Sequence, residues 1–182
     1  MINSIELYDD NIGRVDYVSH MGSDLTVVNS ARVSFGVEKT DLDEKDRKLI
    51  KYLIKHRHTS TLEHNLITFR FTVPLFIRSQ HHRHRTWSYN EISRRYTDVN
   101  LKFYEPSKFR TQHASNRQAS NACEEINPVL NEGGVHGGQS AAHLVKAHHK
   151  RCISLYEDLI KAGCCREQSR GVLPQNLYTE YY

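Results

Sequence analysis

Residues 80–96 combine side-chain types that can bind a phosphorylated nucleotide. The stretch runs Gln80-His81-His82-Arg83-His84-Arg85-Thr86-Trp87-Ser88-Tyr89-Asn90-Glu91-Ile92-Ser93-Arg94-Arg95-Tyr96. It holds four arginines and three histidines, with no lysine and a single acid. A solvated surface helix would normally include Lys and Glu in quantity. Guanidinium, imidazole and amide groups suit two-pronged hydrogen bonds to phosphates and base edges, so the stretch predicts a nucleotide site.

The whole chain has the length and composition of one globular domain. At 182 residues and 21.2 kDa it can bury a substantial core. It contains no apolar run of about 18 residues and no secretory signal. The net charge of +4 is mildly basic, so the local arginine excess is the stronger indication of an anionic ligand. The four cysteines form no Cys-x-x-Cys pair, which favours a reducing, cytoplasmic compartment over disulfides or zinc.

The pattern upstream of this stretch predicts the elements that position it. Residues 5–35 are expected to form strands and turns, with 24–28 as a short strand or the start of a helix. Apolar residues at helical spacing, with acids in the first turn, predict a helix over 43–57. From 64 to 73 apolar and polar residues alternate, which is typical of a strand. Pro74 ends the strand and is predicted as the first residue of the next helix.

Downstream of that helix the pattern is weaker. We expect an irregular segment over 86–93 and a further strand over 96–104. Residues 105–137 are predicted to be the least structured part of the chain, with room for a short helix over 114–126.

The last third is predicted to be helical. A long amphipathic helix is expected over 138–162, with Gly163 just beyond its end, and a short helix over 166–173. A terminal helix from Pro174 would place apolar side chains on one open face, as if the element were cut short or completed by another subunit. These side chains are Leu177, Tyr178, Tyr181 and Tyr182.

A second polar cluster occupies residues 56–64. Composition alone leaves two interpretations open. The cluster is either a solvated helix end with a capped turn, or a loop that presents Ser60 and Glu63 to a ligand.

Other chemistries fit the histidines, arginines and serines less well. The histidines do not follow the spacing of a zinc site, so a metal is disfavoured. A nucleic-acid-binding arm is the main alternative, because Trp87 and Tyr89 could stack on bases between the arginines. Asn90 and Glu91 suit a base edge or a cofactor ring better than a phosphate backbone. No Gly-x-Ser-x-Gly elbow, dinucleotide-binding glycine loop or P-loop is present.

Four segments, in order along the chain, resemble those of the flavin-dependent thymidylate synthases. The third is long and specific, and only residues 105–140 lack a distinctive counterpart. The segments are Asn29-Ser30-Ala31-Arg32-Val33-Ser34, His58-x-Ser60-x-x-Glu63-His64, Arg83-His84-Arg85-x-x-Ser88-x-Asn90-Glu91-x-Ser93-x-Arg95-Tyr96, and Arg170-Gly171-Val172-Leu173-Pro174-x-Asn176-Leu177-Tyr178-Thr179.

The resemblance implies a fold and a reaction. The fold is α/β (α+β), a single domain over 1–182 with a central, mostly antiparallel sheet flanked by helices, assembled as a homotetramer with FAD between subunits. The reaction methylates dUMP to dTMP, with carbon from methylenetetrahydrofolate and reducing equivalents from NADPH through the flavin. No metal, membrane or nucleic acid is expected to take part.

The resemblance also assigns roles to individual residues. The flavin contacts correspond to Ser60, Arg83, His84, Arg85 and Glu91. The dUMP contacts correspond to Gln80, His81, His82, Arg83, Glu91, Ile92, Ser93, Arg94, Arg95 and Arg170. Catalytic roles correspond to His58, Ser93 and Arg170.

The family normally continues for several tens of residues beyond the Leu-Tyr-Thr segment, and that continuation carries an arginine that activates the uracil. The chain is therefore expected to be truncated at its C-terminus relative to the family. It would be a fragment, a split gene product, or a catalytically incomplete homologue that binds FAD and dUMP.

Overall fold

The computed structural model describes residues 3–97, 101–130 and 135–182. The chain divides into two compact units. Residues 1–5 and 15–70 form the first unit, and residues 6–14 and 71–182 form the second. Within the described residues, no helix is both long enough and apolar enough to cross a membrane.

The first unit combines strands with two helices. Its elements are β1 (Ser4–Glu6), β2 (Arg14–Met21), α1 (Asp24–Arg32), α2 (Glu44–Lys55) and the beginning of β3 (Leu66–Pro74), with short 3-10 turns at Val33–Phe35 and Thr59–Thr61. Strands β1, β2 and β3 are neighbours in that order. The predicted helix over 43–57 and the predicted strand over 64–73 are confirmed.

Both helices of the first unit begin at side-chain caps. Ser23 Oγ accepts from the backbone N–H of Thr26, at 3.4 Å, and the Thr26 hydroxyl accepts from the N–H of Ser23. Asp43 does the same for α2, accepting from the N–H groups of Lys45 and Asp46. These caps satisfy amide groups that the first helical turn leaves without partners. Segment 24–28 is therefore the start of a helix, the second of its two predicted forms. The prediction of strands and turns over the rest of 5–35 is wrong at 29–32, because the same helix continues to Arg32.

A buried carboxylate joins α1, α2 and the segment between them. The Asp46 side chain is fully buried and accepts from Arg32 Nη2 at 2.6 Å and from the Lys39 ammonium group. Asn29 adds two hydrogen bonds to the backbone of Lys39, each of 2.9 Å. The Asn-Ser-Ala-Arg segment thus holds the first unit together, because a buried charge is stable only when paired and hydrogen-bonded.

The second unit has its core beneath the longest helix. Its elements are the end of β3, α3 (Leu75–His81), β4 (Phe109–Gln112), β5 (Ser120–Ile126), β6 (Val129–Leu130), β7 (Gln139–Ser140), α4 (Ala141–Lys161), α5 (Arg166–Ser169), a 3-10 turn at Arg170–Val172, and β8 (Tyr178–Tyr181). Phe103, Tyr156, Leu173 and Leu177 form its buried cluster. The predicted long helix over 138–162 is confirmed as α4, with Gly163 at φ +88° beyond it. Mixed helices and antiparallel strand pairs are the fold class that the sequence predicted.

The predicted terminal helix is wrong, because residues 178–181 form strand β8. Phe71 pairs with Tyr181 and Val73 with Thr179, antiparallel. Leu177, Tyr178 and Tyr181 are almost fully buried. These three side chains are therefore covered within the second unit. The prediction of a helix with an open apolar face fails because the segment pairs with β3 as a strand. Pro74 also differs slightly from its prediction, since it caps α3 rather than opening it.

The prediction of a short helix over 114–126 is also wrong. Residues 120–126 form β5, paired antiparallel with β4, and a turn at 113–119 joins them. Pairing with a partner several residues away outweighs the modest helical tendency of this segment. In the predicted strand over 96–104, residues 98–100 lie outside the described residues. Of the remainder, Phe103 makes a single bridge to Leu177.

Candidate functional site

The polar loop at 82–97 follows α3 and is held along the free edge of β8. The Ile92 N–H donates to the Glu180 carbonyl at 2.9 Å, and Asn90 and Tyr182 exchange two backbone hydrogen bonds. Glu91 and Tyr181 form the bridge between them. The predicted irregular segment over 86–93 is confirmed, and its register is fixed by the C-terminal strand.

Glu91 is the single acid in residues 82–97, and its carboxylate accepts from two side chains. Arg78 Nε donates to Oε1 at 2.9 Å, and Arg78 Nη2 lies 2.7 Å from Oε2. The buried Thr179 hydroxyl donates to Oε1 at 2.6 Å. Arg78 is not among the site residues predicted from the sequence. The available signal was an arginine inside the otherwise apolar start of α3, two residues before Gln80.

His81 lies at the centre of an aromatic cluster. Its Nδ1 lies 2.7 Å from the Tyr181 hydroxyl, and its ring packs against Phe71 and Trp87 at 4.6 Å between centroids. The Tyr89 hydroxyl donates to the backbone carbonyl of His81. Burial lowers the pKa of His81, and His84 and His82 lower it further. The imidazole is therefore neutral at pH 7 and supports the loop.

His82 shares this cluster but leaves one nitrogen unpaired. Its ring packs on Tyr89 at 4.0 Å between centroids and meets Tyr181 edge-on. Within the described residues, the buried Nε2 atom has no hydrogen-bond partner. Burial lowers the pKa of His82, and the charge of Arg78 lowers it further. A neutral His82 can supply a donor or an acceptor to a ligand.

The polar side chains at the end of α3 and the start of the loop are open to solvent. Gln80, Arg83, His84 and Arg85 are all exposed. In the described parts of the chain, Arg83 and Arg85 make no ion pair, so their guanidinium groups retain their donors. Tyr89 fixes the backbone beneath them by donating to the His84 carbonyl at 3.0 Å. Such donors on a fixed backbone can bind a phosphate or pyrophosphate group.

A tight turn ends the loop, and the two neighbouring arginines of this turn contact different elements of the second unit. The Ser93 hydroxyl accepts from the N–H of Arg95 at 3.3 Å. Arg94 donates to the Tyr178 carbonyl and, with the half-exposed Ile92, lines a cavity of about 280 Å³. Arg95 instead pairs with Glu167 of α5 at 3.3 Å. Arg94 and Arg95 therefore have different partners, and their assignment as dUMP contacts stays a prediction.

Arg170 lies at the start of the 3-10 turn after α5, and its side chain is exposed. The ion pair between Arg95 and Glu167 brings the end of the loop to α5, less than one helical turn before Arg170 in sequence. The second unit thus carries Gln80 to Arg95 and Arg170 on elements that contact one another.

His58 and Ser60 lie in the first unit. Ser60 is exposed in the Thr59–Thr61 turn, which Ser30 holds by donating to the Thr61 carbonyl at 3.2 Å. The exposed His58 ring meets Tyr52 edge-on at 6.1 Å. A cavity of about 740 Å³ in this unit is lined by residues of α1, the following turn and His64. The roles assigned to His58 and Ser60 stay predictions.

Among residues 3–97, 101–130 and 135–182, no group of three or more His, Cys, Asp or Glu side chains is arranged so that it could ligate a metal ion. All four cysteines are free thiols.

Comparison with known proteins identifies a family for almost the whole chain. The family described as "Thymidylate synthase complementing protein" matches residues 16–182. A flavin-dependent thymidylate synthase of Thermus thermophilus is 42% identical over 170 residues, which is 93% of this chain and 58% of that protein. The enzyme of the same name from Thermotoga neapolitana is 39% identical, over 93% of this chain and 69% of its own length. The chain thus spans less than two thirds of the Thermus relative.

Solved structures show the same likeness. A UMP/dUMP methylase PolB from Streptomyces cacaoi, bound with 5-Br dUMP, aligns with a TM-score of 0.72 at 33% sequence identity. The alignment covers 97% of this chain and 73% of PolB. The structure of PolB bound with 5-Br UMP gives a TM-score of 0.73 at 32% identity.

Proposed function

The chain belongs to the thymidylate synthase complementing protein family, the flavin-dependent thymidylate synthases, and on that premise we propose that it acts in the methylation of dUMP to dTMP. FAD is the proposed cofactor, with methylenetetrahydrofolate and NADPH as co-substrates. The proposed location is the cytoplasm. The observation that carries the proposal is the loop of exposed arginine and histidine side chains held along β8, in a chain that aligns with a UMP/dUMP methylase bound with 5-Br dUMP.

The end of the loop is the proposed site for dUMP. Ser93, Arg95 and Arg170 would bind its phosphate, because hydroxyl and guanidinium donors suit a dianion. Gln80, His81, His82 and the backbone around Ile92 are the further proposed contacts. Arg94 is the least favoured member of the predicted set, since it donates to the Tyr178 carbonyl.

The start of the loop is the proposed site for the flavin. Arg83, His84 and Arg85 are exposed donors on a backbone held by Tyr89, and this donor set fits a pyrophosphate and a flat ring. Ser60 and His58 are proposed separately, from the resemblance to the family, to contact a flavin. A bound flavin would supply the redox chemistry. The protein groups would bind and orient the pyrimidine, and their guanidinium and amide donors would polarise it.

A homotetramer is the proposed assembly. Support comes from large apolar side chains that the first unit leaves open. Val33 is 72% exposed and Phe35 81%, and Leu66 and Ile67 are both more than half exposed. Large apolar side chains left exposed in this way favour contact with another subunit. Light scattering on the purified protein would test the proposal, which a monomer at micromolar concentration would refute.

Binding measurements test the proposed function directly. The purified chain should take up FAD, seen as visible flavin absorbance, and should bind dUMP in calorimetry. Replacing both Arg83 and Arg85 by Gln should abolish FAD uptake, because it removes the proposed pyrophosphate donors. The matched control is Arg117→Gln, an exposed arginine between β4 and β5. Release of tritium from labelled dUMP, with folate and NADPH present, would report turnover.

Two outcomes would refute the proposal. One is a protein that remains colourless with FAD and has no affinity for dUMP. The other is steeply salt-dependent binding to RNA or DNA with no preference for dUMP, which would point to a nucleic-acid-binding module.

A further inference from the structure

We infer that Arg78, which lies outside all four family-like segments, positions residues 89–95 of the loop through its salt bridge to Glu91 and leaves that carboxylate one acceptor position for the substrate. The inference rests on the proposed function in naming dUMP as that substrate. Arg78 is a positioning residue, because it acts on the ligand through Glu91.

The geometry of the salt bridge is that of a two-pronged pair. Two nitrogens of one guanidinium group reach the two oxygens of one carboxylate, at 2.9 and 2.7 Å. The side chains of Arg78 and Glu91 are 33% and 20% exposed, so most of the pair is shielded from water. A planar guanidinium group in this arrangement fixes the orientation of its partner, which a lysine cannot do.

The remaining hydrogen-bonding capacity of Glu91 is small. A carboxylate has about four acceptor positions, two on each oxygen. Arg78 and Thr179 together occupy both positions on Oε1, and Arg78 occupies one on Oε2. One position remains, on Oε2. Glu91 can therefore accept from one ligand donor at a time, although the resemblance to the family implies that it contacts both the flavin and dUMP.

We assign that position to dUMP, through the uracil N–H or a ribose hydroxyl. The turn that would bind the dUMP phosphate, at Ser93 and Arg95, lies on the same loop as Glu91. The proposed flavin donors Arg83 and Arg85 precede Tyr89 in the sequence, next to His84, whose carbonyl accepts from the Tyr89 hydroxyl.

The salt bridge, together with the hydrogen bond from Thr179 to Glu91, connects three elements. Arg78 belongs to α3, Glu91 to the loop and Thr179 to β8. The backbone hydrogen bonds of Asn90 and Ile92 to β8 flank Glu91 on both sides. Without Arg78 the Glu91 carboxylate loses its only cationic partner among the described residues. We expect its side chain then to rotate towards solvent, where water can hydrate the charge. That movement would loosen the loop from β8.

Hydrogen exchange in the ligand-free protein tests the positioning role. In Arg78→Gln, amides of residues 89–95 should exchange at least about tenfold faster than in the wild type. The matched control is Arg47→Gln, whose arginine is 67% exposed on α2. It should leave that segment unchanged. Unchanged exchange in folded Arg78→Gln would overturn the inference.

Ligand affinity tests the assignment to dUMP. Arg78→Gln should weaken dUMP binding about tenfold or more and FAD binding by less than about twofold. In a Glu91→Gln background the same change should add little. Added ethylguanidinium should restore part of the dUMP affinity of Arg78→Gln, which a misfolded protein would not allow. Arg78→Lys should restore less than the wild-type affinity, since one ammonium group cannot span both oxygens.

The outcomes separate the inference from the proposed function. Equal losses of FAD and dUMP affinity, or no rescue by ethylguanidinium, would overturn the assignment. A wild-type protein that binds no dUMP would refute the proposed function, while the exchange comparison would still decide the positioning role.

Discussion

The Tyr181 hydroxyl lies 2.7 Å from Nδ1 of His81, and this contact joins the last strand of the chain to the end of α3. Tyr181 is 1% exposed and stacks on Phe71 at 5.2 Å between centroids. The polar loop therefore starts from a helix end that β8 holds in place. The C-terminal strand is part of the support of the candidate site.

Removing the Tyr181 hydroxyl should destabilise the second unit. Tyr181→Phe keeps the stacked ring but leaves Nδ1 of the half-buried His81 without its partner, at a cost of about 1 kcal/mol. Urea denaturation should show this loss in the free energy of unfolding. Tyr182→Phe changes the neighbouring, half-exposed tyrosine in the same way and should have no effect. Equal effects of the two changes would contradict the role given to the contact.

Asp46 should make the first unit acid-sensitive. The hydrogen bond from Lys39, which outweighs the opposing effect of burial, holds the pKa of Asp46 well below its usual range, and Arg32 adds to it. A carboxylate with a depressed pKa stabilises the fold above its ordinary pKa, and that contribution is lost as the pH falls below about 4.

Asp46→Asn should therefore lower the melting temperature at pH 7 by more than about 5 °C, because it leaves two cations without their buried partner. The difference from the wild type should shrink below pH 4. Asp41→Asn, an exposed aspartate in the same region, serves as the control. A constant difference at all pH values would contradict the electrostatic explanation.

Arg78 should also control the protonation of His82. Burial is the main cause of the lowered pKa of His82, and Arg78 adds to it while Glu91 opposes it. Replacing Arg78 by Gln should raise the pKa of His82 towards its ordinary value near 6.5. An NMR titration of the imidazole would measure the change, with Arg47→Gln as the control. A pKa that stays the same would show that burial acts alone.

Gly22 should be the more sensitive of two glycines with the same backbone conformation. Gly22 and Gly163 have φ of +86° and +88°. A Cβ on Gly22 would lie 1.8 Å from Asn65 Oδ1, whereas none of the described atoms lies within 4 Å of one on Gly163. Both alanine variants suffer the left-handed strain of about 1 kcal/mol. Gly22→Ala should lose roughly a further 1 kcal/mol, because the Asn65 side chain must move and the His64 carbonyl oxygen lies only 3.2 Å from the new Cβ. Equal unfolding free energies would exclude the clash.

Arg95 should discriminate between the two proposed ligands. Arg95→Ala is expected to weaken dUMP binding at least about tenfold and FAD binding much less, since its proposed partner is the nucleotide phosphate. Glu167→Gln removes only the ion pair that now engages Arg95. It should leave dUMP affinity equal or slightly higher. Equal loss of both ligands in Arg95→Ala would contradict the assignment.

Local signals predicted much of the fold. The cap at Asp43 and the helical spacing behind it predicted α2, strict alternation predicted β3, and Gly163 marked the end of α4. Each of these elements is specified by residues within one or two turns of it, so the sequence alone is sufficient. The hairpin of β4 and β5 was missed because its stability comes from cross-strand pairs such as Thr111 with Glu124.

The sequence by itself determined the family and the chemistry of the loop, because the types and order of side chains from Gln80 to Arg95 are readable without coordinates. Only the tertiary structure showed which of these groups remain available. In the structure Glu91 is hydrogen-bonded to Arg78 and Thr179, Arg94 donates to a carbonyl of β8, and Arg95 forms an ion pair with Glu167. The side chains of Arg83 and Arg85 are exposed to solvent. The tertiary structure also made the chain's last residues a buried strand. Hydrogen-bond partners and strand pairing depend on residues that are distant in the sequence, so the local spacing of residues cannot predict them.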